Sequence, residues 1–306
     1  MEYIRQLKSE AEVILQQQRG EIVNIASQIF ENPELGHQEF FASGLLTDYL
    51  KQKGFIVELG IAGMKTAFKA SYSNGKRPQI ALLAEYDALP NLGHGCGHNL
   101  IGAASVGAAV LIKELLGQHK LEGQVVVFGT PAEETNGGKV TLVNNRCFNN
   151  IDAALMFHPG ETNAIDISSL AMDALEFVFE GKSAHAAAAP HMAINALDGV
   201  IQLFSGVNSS RQYMEDEVKI HGVITEGGLT PNIIPDRAVT RFYIRASSRA
   251  KLDKVVAKVL DCARGAALST GSKVRWHNYE LSYDEMVTNK TMAKAFEDNI
   301  KELGII

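Results

Sequence analysis

Apolar positions recur at helical spacing from the first residues on. Ile4, Leu7, Val13, Ile14, Ile22, Val23, Ile25, Ala26 and Ile29 predict one amphipathic helix over residues 1–30. N-P-E-L-G (32–36) ends it, and a second helix is expected from about Gln38 to Gly54, where glycine supplies a stop. Strand-like segments follow at 55–60 and 65–72, with N-G-K (74–76) as a turn. Beyond that turn, short apolar runs alternate with helices. Q-I-A-L-L-A-E (79–85), Q-V-V-V-F-G-T (124–130) and D-A-A-L-M-F-H-P (152–159) read as buried strands, the third ending at His158. The Ala/Gly-rich stretch from Asn99 to Leu116 and a shorter one around 138–145 read as helices. The alternation predicts an α/β domain with a mostly parallel sheet covered by helices. Sheets of that kind bind ligands at the carboxyl ends of their strands.

The rhythm changes near residue 170. A-L-E-F-V-F-E (174–180) alternates as a half-solvated antiparallel strand does. A helix is expected to begin at Pro190, with Ile194, Leu197, Val200, Ile201 and Phe204 on one side. Strands at 217–225 and 237–245, a helix striped by Leu252, Val255, Val256, Val259 and Leu260, and a strand at 273–281 complete a β-α-β-β-α-β order. The expected organisation is therefore a first domain over 1–168 and 281–306, interrupted by a small second domain over 169–280. The last stretch reads as a turn and a helix from Asn289 to Leu303.

Composition narrows the function. The chain has 306 residues, 46% hydrophobic and 21% charged, with a net charge of −6, which argues against nucleic-acid or anionic-membrane partners. No apolar run of transmembrane length and no leader core are expected, and three cysteines fit a reducing compartment, so a cytoplasmic setting is expected.

Chemistry concentrates at the predicted strand ends. After the first buried strand come Glu85 and Asp87, then a glycine loop with His94, Cys96 and His98. Thiol and imidazole within a few positions, on a backbone that glycine allows to fold tightly, suit a transition metal. The second strand runs into Glu133 and Glu134, the third into His158. Cys96, His98, Glu134 and His158 make most of a two-metal site, in which a divalent ion lowers the pKa of water and a neighbouring carboxylate accepts its proton. On spacing alone, a base–ligand pair and a charged helix start explain Glu133 and Glu134 equally well. His185, in G-K-S-A-H, reads as a loop histidine, and Asn232, in T-P-N-I-I-P-D, as turn chemistry.

The motifs N-P-E-L-G (32–36), A-E-Y-D-A-L-P (84–90), G-H-G-C-G-H-N (93–99), P-A-E-E (131–134), F-H-P-G (157–160), G-K-S-A-H (181–185) and P-N-I-I-P-D (231–236) occur in one order across nearly the whole chain. Together they resemble the M20 metallopeptidases, in particular the amidohydrolase branch with the aminobenzoyl-glutamate hydrolases and M20-domain dipeptidases. The resemblance implies a zinc-peptidase-like catalytic domain with an inserted ferredoxin-like lid that mediates homodimerisation. It implies two divalent ions (zinc first; manganese, cobalt or nickel also suit) on Cys96, His98, Glu134 and His158. Glu133 would be the general base and Asp87 the support of the metal centre; His185 would be a catalytic lid histidine that reaches the active site of a neighbouring subunit and steadies the reacting carbonyl or the substrate carboxylate, and Asn232 a substrate contact. The implied activity is hydrolysis of an amide bond next to a free carboxylate, in dipeptides, N-acyl amino acids or aminobenzoyl-glutamate-type compounds. The family pattern also implies a later histidine ligand that nothing in 281–306 matches, so the chain as it stands is expected to lack one ligand. The alternative expectation is a non-catalytic protein that keeps the fold and binds a small molecule or a partner.

Overall fold

The computed structural model describes residues 2–305. They form two compact units, 2–162 and 163–305, which differ in sheet type.

In the first unit the long amphipathic helix α1 (Glu2–Glu31) and helix α2 (Phe40–Gln52) precede strands β1 (Ile56–Leu59), β2 (Phe68–Ser73) and β3 (Gln79–Ala84). Helix α3 (His98–Gln118), strand β4 (Gln124–Gly129), helix α4 (Gly138–Asn144) and strand β5 (Ala153–Leu155) follow. The sheet runs β1-β2-β4-β3-β5. It is mixed rather than mostly parallel: β1–β2 and β2–β4 pair antiparallel, while β3–β4 and β3–β5 pair parallel. The antiparallel half arises because β1 and β2 join through a short turn with no crossover helix, which only an antiparallel pair permits. The parallel half carries the chemistry. Gly54 ends α2 at a φ of +84°, as its place in the sequence suggests.

Helix α3 is long and apolar enough, on length and composition, to cross a bilayer, contrary to the expectation that no run reaches that length. Packing explains its composition. Its Ala/Gly-rich side lies against α1 and the sheet, and Ile101, Ala103, Val106, Ala109 and Val110 are buried there. The core of the unit gathers Ile25 and Ile29 of α1, Leu46 and Leu50 of α2, Phe68, Tyr86, and Val125 and Val127 of β4.

The third predicted strand is much shorter than its sequence suggests. β5 stops at Leu155, and His158 lies beyond it in an exposed, irregular segment instead of closing a buried strand. P-A-E-E is likewise no helix start: residues 133–136 form a turn and α4 begins only at Gly138.

The second unit contains strand β6 (Ala171–Glu180), helix α5 (Ala196–Ser210), strands β7 (Lys219–Glu226) and β8 (Arg237–Ala246), helix α6 (Arg249–Thr270), strand β9 (Lys273–Asn278) and helix α7 (Lys290–Glu302). The order is the expected β-α-β-β-α-β, and the sheet, β7-β8-β6-β9, is antiparallel throughout. Phe177, Phe179, Val200, Leu203, Phe242, Leu252 and Val259 fill the space between its helices and one face of the sheet. Pro190 opens a short 3₁₀ turn and not α5, which starts at Ala196 because the Asn195 side chain accepts from the Leu197 N–H. The segment after β9 returns to this unit: Tyr283 pairs with Met172, and Arg249 binds Asp173 and Asp284.

Candidate metal centre

Three loops leave the carboxyl ends of the parallel strands β3, β4 and β5 and converge. The first carries Glu85 and Asp87 and leads to the N-terminus of α3. The turn into that helix needs Gly97, whose φ is +74°, and it delivers His98 as the first helical residue, 1% exposed. The second loop carries Glu133 and Glu134, and the third carries His158.

Asp87 organises the centre. Its Oδ1 accepts from His98 Nδ1 at 2.9 Å, and its Oδ2 accepts from the Glu134 N–H at 2.9 Å. A carboxylate only accepts, so Nδ1 carries a proton, and in the neutral ring Nε2 is the nitrogen with the lone pair. That Nε2 faces carboxylates: Glu85 Oε2 at 3.3 Å, Glu134 Oε1 at 3.7 Å and Glu133 Oε2 at 3.9 Å. His158 repeats the arrangement, its Nδ1 donating to the Pro159 carbonyl at 2.8 Å, with the two rings edge to face at 5.9 Å.

Two overlapping groups have donor atoms within 4.8 Å of one another, Glu85–His98–His158 and His98–Glu133–Glu134. Cys96 joins through Glu134, to which its thiol donates, and not through either group. Of the predicted ligands the fold thus brings His98, Glu134 and His158 together, with Cys96 beside Glu134. Asp87 hydrogen-bonds both the His98 ring and the Glu134 N–H.

The electrostatics are those of a site built for a cation. Glu85 Oε2 and His98 Nε2 are both buried with no hydrogen-bond partner, although buried polar atoms are nearly always paired. The hydrogen bond to Glu134 comes first in pushing the Cys96 thiol up to about 11, with burial and the charges of Glu134, Glu133 and Asp87 adding to it. Burial raises the Glu133 carboxyl, Lys139 opposes the rise, and Glu85 and Glu134 reinforce it. Burial alone would lower His98, but the Asp87 hydrogen bond and the charges of Glu85, Asp87 and Glu133 prevail and raise it. A divalent ion held by these residues would offset the crowded negative charge and give the unpaired Glu85 and His98 atoms a partner. Thiolate, imidazole and carboxylate together fit a borderline transition metal.

Glu85 and Lys139 were not among the predicted site residues. Glu85, 1% exposed, gives one oxygen to the Lys139 ammonium and turns the other to His98. Its position two residues before Asp87 on the strand exit hints at a shared direction, whereas Lys139 sits on α4 and nothing local announces it.

His185 and Asn232 belong to the second unit, where the fold brings them together. His185 forms a β-bridge with Ile233, and the Ala186 N–H donates to the Asn232 carbonyl at 3.0 Å. The His185 ring faces its own loop, with Nδ1 accepting from the Ala187 and Ala188 N–H groups at 3.2 Å. A histidine held this way keeps Nε2 protonated as a donor.

A two-unit α/β chain with an acidic, histidine-bearing centre at the ends of parallel strands defines a metallohydrolase architecture. Comparison with known proteins narrows that class. Residues 171–270 match the model of the peptidase dimerisation domain of M20 enzymes. The chain is 37% identical over 292 residues to the Xaa-Arg dipeptidase of Mus musculus, covering 92% of this chain and 68% of the relative. It is 33% identical over 305 residues to one of the p-aminobenzoyl-glutamate hydrolase polypeptides of Escherichia coli, covering 94% and 63% respectively. Among solved structures, YXEP of Bacillus subtilis, described as a dinuclear metal binding peptidase from the M20 family, matches with a TM-score of 0.70 at 22% identity, covering 94% of this chain and 81% of that one. A putative aminohydrolase from methicillin-resistant Staphylococcus aureus matches with a TM-score of 0.78 at 21% identity, covering 96% and 81%. The chain belongs to the M20 peptidase family, and it is a hydrolase of that family.

Proposed function

We propose that the enzyme hydrolyses the amide bond of small substrates that carry a free carboxylate next to that bond: dipeptides, N-acyl amino acids or aminobenzoyl-glutamate-type compounds. The observation that carries this reading is the buried, unpaired His98 Nε2 set among Glu85, Glu133 and Glu134. Cys96, His98, Glu134 and His158 would hold two divalent ions, zinc first among them, with manganese, cobalt and nickel compatible with the same donors. Bound there, such ions supply Lewis acidity toward the amide carbonyl and make water a better nucleophile near neutral pH.

The protein's own groups do the rest. Glu133 is the half-exposed member of the glutamate pair, while Glu134 turns inward to Cys96 and His98. Glu133 therefore takes the proton from the attacking water and passes it to the leaving amine. Its raised carboxyl suits both halves of that transfer, since a base whose pKa lies nearer neutrality also returns its proton readily. Asp87 keeps His98 in one tautomer and holds the Glu134 backbone in register. His185 would reach the active site of a neighbouring subunit and steady the reacting carbonyl or the substrate carboxylate, and Asn232 would contact the substrate. The match of 171–270 to a dimerisation domain supports a homodimer formed through that unit. The free cysteines support a reducing, cytoplasmic setting.

The test is turnover of a panel of such amides before and after chelation, and in Glu133→Gln. The expected result is activity that chelation removes, that added divalent metal restores, and that Glu133→Gln loses by roughly 100-fold or more. Activity that survives thorough chelation, or is unchanged in Glu133→Gln, would sink the reading.

A further inference from the structure

The segment N-P-E-L-G-H-Q-E (32–39) lies outside the metal centre, and the sequence assigns none of its residues a role there. In the structure it touches two of the three loops that build the centre, those after β3 and β4. The Glu34 carboxylate accepts from the Phe41 and Ala42 N–H groups, capping α2 and pinning one end of the segment. The Glu34 carbonyl accepts from the Ala88 N–H at 2.8 Å, on the loop of Glu85 and Asp87. Gly36 lies against the other loop: a Cβ there would come within 2.3 Å of Thr135 Oγ1 and 2.9 Å of Ala132 Cβ.

The far end of the segment is Glu39, a carboxylic acid with no exposed surface. Its Oε1 accepts from the Ala132 N–H at 2.8 Å, and its Oε2 accepts from the Thr66 hydroxyl at 2.8 Å. Ala132 is itself buried and has a φ of +58°, a left-handed conformation that an alanine adopts only when its surroundings impose it. It immediately precedes Glu133 and Glu134. The orientation of its peptide therefore sets the direction in which both glutamates leave the backbone. The network continues to the other loop: the Tyr86 hydroxyl donates to the Thr66 carbonyl at 2.7 Å, and Tyr86 stands between Glu85 and Asp87. One buried chain, Ala132–Glu39–Thr66–Tyr86, thus connects the backs of the two loops whose fronts Asp87 joins through His98 and Glu134.

We infer that Glu39 is a positioning residue for the glutamate pair: by holding the left-handed Ala132 peptide it aims Glu134 at the metal centre and Glu133 at the attacking water. The inference rests on the roles proposed above for those two glutamates. A carboxylate suits the task because its hydrogen bond to a buried N–H is charge-assisted and shielded from water.

The experiment compares Glu39→Leu, Glu39→Gln and Thr66→Val with the unaltered protein. Its readouts are thermal midpoint, zinc affinity of the metal-free protein by chelator competition, and kcat and KM on an amide substrate. Glu39→Leu is expected to lower both kcat and zinc affinity by roughly 10- to 100-fold, the usual size of effect for groups that support ligands, with KM little changed. Glu39→Gln keeps an acceptor for the Ala132 N–H and is expected to recover most of both. Thr66→Val leaves Glu39 in place with one oxygen unpaired and is expected to fall between them, so it decides the matter if Glu39→Leu does not fold. A lowered thermal midpoint with kcat and zinc affinity unchanged, in whichever variant folds, would show a purely structural role and overturn the inference. Glu133→Gln is run alongside. If it abolishes turnover while the Glu39 and Thr66 variants keep normal kcat and zinc affinity, the inference fails alone. If it leaves turnover intact, the proposed function fails, and zinc affinity still judges Glu39 by itself.

Discussion

Asp87 and His98 stand 2.9 Å apart through Oδ1 and Nδ1, and this contact decides which imidazole nitrogen faces the carboxylates of the site. The other carboxylate oxygen holds the Glu134 N–H, so one side chain orients two predicted ligands. Asp87→Ala removes both restraints. It is expected to weaken divalent-metal affinity by roughly 10- to 100-fold, and kcat with it. Asp87→Asn should do less harm, because an amide oxygen can still accept one of the two donors but not both. Competition titration of the metal-free variants checks this. Equal affinity in all three proteins would mean that His98 does not depend on Asp87 for its tautomer.

Lys139 pairs with Glu85, which is almost wholly buried beside His98. Lys139→Met leaves Glu85 unpaired beside His98. Losing one partner of a fully buried pair costs about 3–5 kcal/mol, but the Lys139 side chain is 28% exposed, so a loss of about 1–2 kcal/mol is expected. Urea unfolding of the metal-free protein measures it, and the double variant Glu85→Gln/Lys139→Met should regain much of the difference. The same substitution has a kinetic signature. Lys139 opposes the rise of the Glu133 carboxyl, so removing its charge raises that group further. A base works only when ionised, so the acidic limb of kcat/KM should move to higher pH in Lys139→Met.

Much of this centre is legible along the chain, for a physical reason. Parallel strands end at one edge, so polar residues at the ends of three apolar runs, Asp87, Glu133–Glu134 and His158, must be near one another once the runs are recognised as strands. What periodicity does not convey is pairing across sequence distance. Lys139 reaches Glu85 from 54 positions away, and Glu39 reaches Ala132 from 93. Neither contact leaves a mark on local hydrophobic pattern. The same limit explains the sheet. An apolar run is equally consistent with parallel and antiparallel neighbours, so the pattern alone does not separate the antiparallel β1 and β2 from a mostly parallel sheet. The over-long strand to His158 has another cause: M-F-H-P continues the apolar run of β5, but the partner strand β3 pairs with it only as far as Leu155.

Metal should stabilise the first unit as well as activate it. Glu85 Oε2 and His98 Nε2 are buried and unpaired, so the folded protein without metal retains unfavourable terms that a cation would remove. Binding to the folded state alone stabilises by about 2.7 kcal/mol when free metal is a hundredfold above its dissociation constant. A thermal midpoint that rises with zinc concentration is expected, with the rise reduced in His98→Ala. Cys96 gives the titration a direction as well. Its thiol sits near 11 and must lose a proton to bind metal, so binding at neutral pH releases a proton and affinity increases with pH. Calorimetry in buffers of different ionisation enthalpy reads that proton, and Cys96→Ser should not release it.

In the second unit, Lys251 sits in the first turn of α6, a place in which a cation opposes the helix dipole. It is held there by Glu215 at 2.5 Å and Glu217 at 2.6 Å, while Ser247 donates to the same Glu217 oxygen at 3.0 Å. The Lys251 hydrogen bond lowers Glu217 from 4.5 to about 2, and Glu215 and then Glu217 raise Lys251 from 10.5 to about 12. A depressed carboxylate contributes stability above its unfolded value and loses it as pH falls through its folded one. A raised ammonium contributes below its unfolded value and loses it as pH rises through its folded one. The cluster therefore stabilises fully between about pH 4.5 and 10.5 and fades between 4.5 and about 2 on the acid side. Thermal midpoints of the unaltered protein and Lys251→Met should differ in that plateau. The gap should narrow as pH falls from about 4.5 toward 2, where Glu217 loses its charge. A gap that stays constant from pH 7 to 2 would show that Lys251 contributes through its methylene packing and not through its charge.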